Sequence, residues 1–411
     1  MAMTNKRNFE LMPAQYLVGR QGLPNFFAKL SSAAEEVCIA YFGGSITAAP
    51  GWRPKTTQWF RDTYPQTKFT EIDAAIGGTG SDLGVYRFHQ DVLRHKPDLI
   101  FVEFSVNDGS ATPENIWRGM EGIIRQAWKS DPDIDICYVY TFRTGYEEQL
   151  DQGLNSPAAS ADEILADYYG IPSLNPALRI AEMARAGELL FVPAKDEAGT
   201  PQPIAEGVTL FSDDGVHPTD EGQEIYTTVI TAALQQMATV AAEAKPHVLP
   251  APFIEDNWEK AKIVSIEPWM LTGDWKQLET DDQMAKRFSK ELREVWEARQ
   301  PGAKLSFKFK GTAIKLYDIM GPDAGQVVVT VDGESSPPNP RFDSYCTYYR
   351  LAPLHIAGEL PNEVHEINVE LHPDQPDRTP ASSHDKEYTP EKYDGTVIRI
   401  GGIMLLGELQ P

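Results

Sequence analysis

Two patterns of apolar and polar positions divide the chain. From about residue 35 to 242, short apolar runs alternate with stretches of helical periodicity. Val37–Phe42 (VCIAYF), Lys68–Asp73, Leu99–Phe104 (LIFVEF) and Ile134–Tyr140 read as strands. LIFVEF does not alternate, which is the mark of a strand covered on both faces. Helices are expected over Thr56–Tyr64, Val85–Arg94, Pro113–Lys129, Ala159–Tyr169, Pro176–Ala186 and Asp220–Ala242. Thr112 and Pro113 supply a cap and a first-turn proline for the third of these. Strand–helix alternation of this kind predicts a parallel sheet with helices on both faces.

The second pattern begins after Lys245–Asp256 (KPHVLPAPFIED), a proline-rich and non-periodic stretch read as a linker. Beyond it lie short β runs at Lys304–Phe309, Ala313–Tyr317, Gln326–Val331, His365–Leu371 and Val397–Leu406, with one helical stretch expected near Asp281–Ala298. Strands without intervening helices predict a β-sandwich. The expected division is residues 1–245 and 256–411.

Composition adds exclusions. The 411 residues carry a net charge of −23, which disfavours nucleic acid and anionic membrane surfaces as partners and favours a neutral small-molecule or oligosaccharide substrate. No apolar leader and no run of 18 apolar residues is visible, so a cytoplasmic protein without membrane attachment is expected. Three widely spaced cysteines, Cys38, Cys137 and Cys346, argue against a disulfide framework. The residues show no HExxH, CxxC or paired-histidine spacing, so neither metal nor cofactor is expected; His372 and His384 flank what reads as a solvated loop. A homo-oligomer is left open.

Four segments sit at strand ends or helix starts, where open parallel sheets place their sites. GGSIT (Gly43–Thr47) presents Ser45 after a sharp turn, as a nucleophile or as a helix cap. IGGTGSDLG (Ile76–Gly84) exposes backbone N–H groups but lacks the lysine of a phosphate loop. FSVNDG (Phe104–Gly109) offers the carboxamide of Asn107, as an oxyanion donor or in an Asx turn. DDGVHPTDEG (Asp213–Gly222) places His217 three residues after Asp214, close enough for a carboxylate to hold an imidazole that deprotonates a serine.

Taken in this order, the four segments resemble the blocks of the SGNH (GDSL-like) hydrolases over about Val37–Leu234. The resemblance implies a flavodoxin-like three-layer α/β/α domain, followed here by a smaller accessory β-sandwich of the carbohydrate-binding kind. It implies a Ser45–His217–Asp214 triad, and an oxyanion hole made of the Ser45 N–H, the Gly78 N–H (Gly80 being the alternative) and Asn107. One departure is that the family's Gly-Asp-Ser-Leu reads Gly43-Gly44-Ser45-Ile46, which puts in doubt the hydrogen bonds that the aspartate anchors. Family members act on carbohydrate acetates, lysophospholipids, thioesters and aryl esters. An attached sandwich leans the expectation toward short-acyl, above all acetyl, esters of an oligosaccharide taken into the cell. A general short-acyl esterase or thioesterase, or a non-catalytic sugar binder on an esterase scaffold, is the alternative. Trp52, Arg53 and Tyr345 are candidate substrate contacts. Trp52 is equally a core ring and Arg53 equally a salt bridge, and Tyr345 shares an expected strand face with Tyr349. The Gly199–Gly207 segment is a candidate lid.

Overall fold

The structure is a computed structural model that describes residues 9–194, 196, 200–240, 243–382, 384–385 and 387–410. The chain forms two compact units, Met1–Glu259 and Lys260–Pro411.

The first unit is built on six strands: β1 (Leu17–Val18), β2 (Glu36–Gly43), β3 (Lys68–Asp73), β4 (Leu99–Glu103), β5 (Asp135–Val139) and β6 (Ser173–Leu174). Their order is β1-β6-β5-β4-β2-β3. β2 to β6 run parallel, and β1 pairs antiparallel at the edge. The parallel strands therefore follow the flavodoxin-like order, which reverses between β2 and β4.

The helices are α1 (Pro24–Ser31), α2 (Ser45–Ala48), α3 (Trp52–Thr63), α4 (Ser81–Asp91), α5 (Pro113–Ser130), α6 (Glu147–Asp151), α7 (Pro157–Tyr169), α8 (Ala177–Arg185) and α9 (Asp220–Ala238). α4, α5 and α7 pack side by side, as do α3, α9 and α8, which gives the two outer layers. The caps are local. Thr112 accepts from the Asn115 N–H at the start of α5, and Thr219 accepts from the Gly222 N–H at the start of α9. α5 buries Ile116, Trp117, Met120, Ile123, Ile124 and Ala127, the 3.6-residue stripe that drives it onto the sheet. The last two residues of the helix expected to Ala242 lie outside the described residues.

The proline-rich stretch read as a linker folds onto the first unit. The His247 ring stacks on Trp128 at 4.5 Å between centroids and meets Asp135 at 2.8 Å. Phe253 packs edge-on against Trp117, and the Phe253 and Ile254 N–H groups donate to the buried Glu121. Glu259 closes the stretch with ion pairs to Arg125 and Lys129.

The second unit is antiparallel β structure. The two runs expected at 304–309 and 313–317 are one strand, Lys304–Met320, with a register shift between Gly311 and Ala313 that the sequence shows as a break. This strand pairs with Glu363–Leu371 along its first half, with Arg350–Ala357 along its second, and with Ile398–Gln410 on its other side. Leu305, Phe307, Phe309, Leu316, Val327, Ile367 and Ile403 are among the residues of its core. The helix expected near 281–298 shrinks to Gln283–Arg287. Trp296–Ala298 pairs instead with Ile398–Ile400, because the strand partner outweighs a helical spacing of apolar residues.

RFDSYCTYYR also departs from expectation. Residues 341–349 run through turns, so Tyr345 and Tyr349 share no strand face. Tyr345 is 64% exposed, whereas the Tyr349 ring lies against Gly321 and beneath the Arg399 guanidinium. The three cysteines are free thiols.

Candidate active site

Ser45 leaves the C-terminal end of β2 as the first residue of α2. Asn107 follows β4, in a one-turn 3-10 helix over Asn107–Ser110. The two residues therefore flank the point where strand order reverses, the usual crevice of a doubly wound sheet. The third component enters from the turn before α9.

The Asp214–His217 turn is organised by one carboxylate. Asp214 Oδ1 accepts from the Val216 N–H and the His217 N–H, each at 2.8 Å, and from the Ser212 hydroxyl at 3.0 Å. Its Oδ2 meets His217 Nδ1 at 2.7 Å. Nε2 of the same ring meets the Ser45 hydroxyl at 2.8 Å. Desolvation raises the Asp214 carboxyl, but the bonds from the His217 ring, the two N–H groups and Ser212 outweigh it and hold the carboxyl well below the ordinary carboxylate range. A hydroxyl, an imidazole and an ionised carboxylate 169 to 172 residues apart or within one turn thus stand in line. An imidazole so held can take a proton from the hydroxyl while its other nitrogen keeps one.

The loops beside this line are tied together. The Thr144 N–H, in the loop after β5, donates to Gly215 O at 2.7 Å. The Tyr146 hydroxyl in the same loop donates to Ser105 O at 3.1 Å. The loop after β3 reaches Ser45 at Gly77, where a Cβ would lie 3.6 Å from that of the serine. Gly78 follows with φ +72°, a conformation that favours glycine, whereas Gly80 caps α4 against Asp108. The glycine that lies against Ser45 is thus Gly77, next to Gly78, while Gly80 faces Asp108.

Gly44 is explained by its neighbour. A Cβ there would lie 1.9 Å from Asn107 Oδ1, so the carboxamide occupies the space that the family's aspartate would need. The hydrogen bonds around the turn run to Glu103 instead. This buried carboxylate at the end of β4 accepts from the Thr47 and Thr141 hydroxyls, each at 2.8 Å, and from the Gly44 N–H. Sequence reading missed Glu103, although an acid inside LIFVEF was a signal: a charge in an otherwise apolar buried run has to be bound by something.

Desolvation pushes Glu103 up to about 7 and does the same to Asp108, in each case against the hydrogen bonds that favour the anion. In an unfolded chain such groups titrate near pH 4 (roughly). The folded protein therefore holds protons that the unfolded chain has released between about pH 4 and pH 7. The stability tied to them is complete below that window and is lost as pH rises through 7. Glu103→Gln is expected to flatten this fall, measured as the urea midpoint from pH 5 to 8; a slope equal to that of the wild type would count against it.

Two expected substrate contacts are corrected. Trp52 is fully buried, edge-on to Tyr41 and Phe101, because it starts α3 on the face that packs against the sheet. Arg53 is also buried. Its guanidinium pairs with Glu71 and Asp73 and donates to Thr47 O, which leaves it no role toward a ligand. Of the segment expected as a lid, Gly199 lies outside the described residues. The chain leaves toward it at Leu189–Leu190 and returns at Thr209–Leu210, which pair in parallel.

Residues 41–225 match the GDSL-like Lipase/Acylhydrolase family. The matched stretch runs from within β2 to the first turns of α9. Solved structures share the fold of both units. A two-domain esterase (CEX) active on acetylated mannans is similar with a TM-score of 0.73 and 22% identity, over 95% of this chain and 97% of that one. Its form co-crystallised with mannopentaose gives 0.71 at the same identity, over 96% and 98%. At this identity the likeness shows the fold. Among curated proteins, the uncharacterized lipoprotein YqeF of Bacillus subtilis (strain 168) is 32% identical over 82 residues, 18% of this chain and 34% of that protein. The match spans about a third of that relative's length.

Proposed function

We propose that this protein is a serine ester hydrolase that removes acetyl groups from a carbohydrate through an acyl-enzyme. The observation that carries the reading is the unbroken line of hydrogen bonds from Asp214 through His217 to Ser45. His217 takes the Ser45 proton as the oxygen attacks the ester carbonyl. The tetrahedral oxyanion is held by the Ser45 and Gly78 N–H groups and the Asn107 carboxamide. The imidazolium then returns its proton to the departing sugar oxygen. Water, deprotonated by the same imidazole, attacks the acetyl-Ser45 carbonyl, and acetate leaves as the serine regains its proton.

The carbohydrate half of the reading draws on the likeness to an esterase active on acetylated mannans. The exposed rings of Tyr345 and Tyr348 on the second unit also support it, since such rings stack on sugars. The test is acetate release from acetylated manno- and xylo-oligosaccharides, against 4-nitrophenyl acetate and an acyl-CoA. At least one acetylated oligosaccharide is expected to exceed both controls in kcat/KM by an order of magnitude or so. Faster turnover of the acyl-CoA or the aryl ester would replace the carbohydrate assignment with that of a general short-acyl esterase or thioesterase.

A further inference from the structure

We infer that Asp108 is a positioning residue that clamps the loop carrying Gly78 to the loop carrying Asn107, so that the two donors face one oxyanion. The inference rests on the esterase reading above, because it concerns the donors that reading names.

Asp108 follows Asn107 directly and is 4% exposed. Its own N–H is fixed by Phe104 O at 2.8 Å, which anchors it to the end of β4. Its Oδ1 crosses to the other loop and accepts the Ser81 N–H at 3.0 Å. Ser81 is the first residue of α4 and is itself buried, with Gly119 of α5 packed against it. The contact is close on its other side as well: a Cβ on Gly80 would lie 2.2 Å from Oδ1. Gly80 is thus the place where the loop makes room for the clamp, two residues beyond Gly78. Nothing in the acyl-transfer steps uses this carboxylate. What those steps need is a fixed distance between a backbone N–H on one loop and a side-chain amide on another, and a misplacement of about 1 Å in such a pair is worth roughly 10² in rate.

The test is a double-mutant cycle on Asp108 and Gly80, with kcat and KM measured on the preferred acetyl ester and urea unfolding run alongside. Asp108→Ala is expected to lower kcat by roughly 10- to 100-fold with KM within about twofold. Asp108→Asn keeps an acceptor at Oδ1, and the other oxygen has no hydrogen-bond partner among the described residues. It is therefore expected to recover kcat to within about threefold of wild type. Gly80→Ala, whose φ of −100° suits alanine, has to displace the carboxylate. It is expected to cost about tenfold in kcat alone and less than twofold on the Asp108→Ala background, because the group it displaces is already gone. Should Asp108→Ala not fold, Gly80→Ala and Asp108→Asn read the clamp by themselves. Wild-type kcat in Asp108→Ala or Gly80→Ala, losses that multiply in the double variant, or an Asp108→Asn as slow as Asp108→Ala would overturn the clamp while leaving the esterase reading intact. A wild-type protein that neither turns over any ester nor reacts with a fluorophosphonate would bring down both.

Discussion

Ser45→Ala is expected to lower kcat for ester hydrolysis by roughly 10⁶-fold while leaving the fold in place. The magnitude follows from the chemistry. Without the hydroxyl there is no acyl-enzyme, and what remains is the oxyanion cradle acting on water, worth about 10³–10⁴ over the uncatalysed reaction. Retention of the fold follows from the surroundings. Ser45 is only half-buried, its side chain bonds His217 alone among the described residues, and α2 is a single turn with Gly44 at its cap. Acetate release together with labelling by a serine-directed fluorophosphonate separates the outcomes: wild type is labelled on Ser45 and the alanine variant is not. Turnover by Ser45→Ala within tenfold of wild type would show that another group is the nucleophile.

The second large effect is expected one residue earlier. Gly44→Asp, which restores the residue that the family usually has there, is expected to cost roughly 10²–10³ in kcat. The backbone at Gly44, φ −94° and ψ −154°, is one that other residues tolerate, so the obstacle is the side chain. Its Cβ would fall 1.9 Å from Oδ1 and 2.7 Å from Cγ of Asn107. Asn107 has to turn away, and with it goes one oxyanion donor, about 2.7–4 kcal/mol of barrier. Gly44→Ala carries the steric part without the charge and is expected to show most of the loss. Steady-state kinetics on 4-nitrophenyl acetate decide the matter, and a Gly44→Ala variant with unaltered kcat would mean that Asn107 does not hold the oxyanion.

The meeting of Ser45, His217 and Asp214 was legible because these residues are punctuation. Ser45, Asn107 and the Asp214–His217 turn each stand where an apolar run stops, and a parallel sheet gathers such stops along one edge. The residues misread were those judged by nearness in sequence. Trp52 and Arg53 follow Ser45 closely, but they are the first two residues of α3, which turns successive side chains by about 100°. Trp52 is carried into the core and Arg53 onto the acids of β3. The aromatic run at 341–349 failed for a related reason. Alternation has meaning only in a strand, and Tyr345 lies in a turn whose shape is set by Asp343 capping the Tyr345 N–H. Glu103 was passed over because a single acid in an apolar run carries no period, and Asp108 because an acid in a polar turn reads as solvated. Only the packing shows that one gathers threonine hydroxyls and the other joins two loops.

The stretch from Lys245 to Glu259 changes where the first unit ends. The layered core stops at α9, yet the indoles of Trp117 and Trp128 and the buried acids Glu121 and Asp135 are all finished by residues that come after it. A fragment trimmed at the closing helix would uncover faces of two rings and leave Asp135 with the Phe26 N–H, and Glu121 with the Tyr169 hydroxyl, in place of fuller sets of partners. Fifteen residues with no helix or strand among them are, in effect, the seam that closes the first unit over α5 and the start of β5.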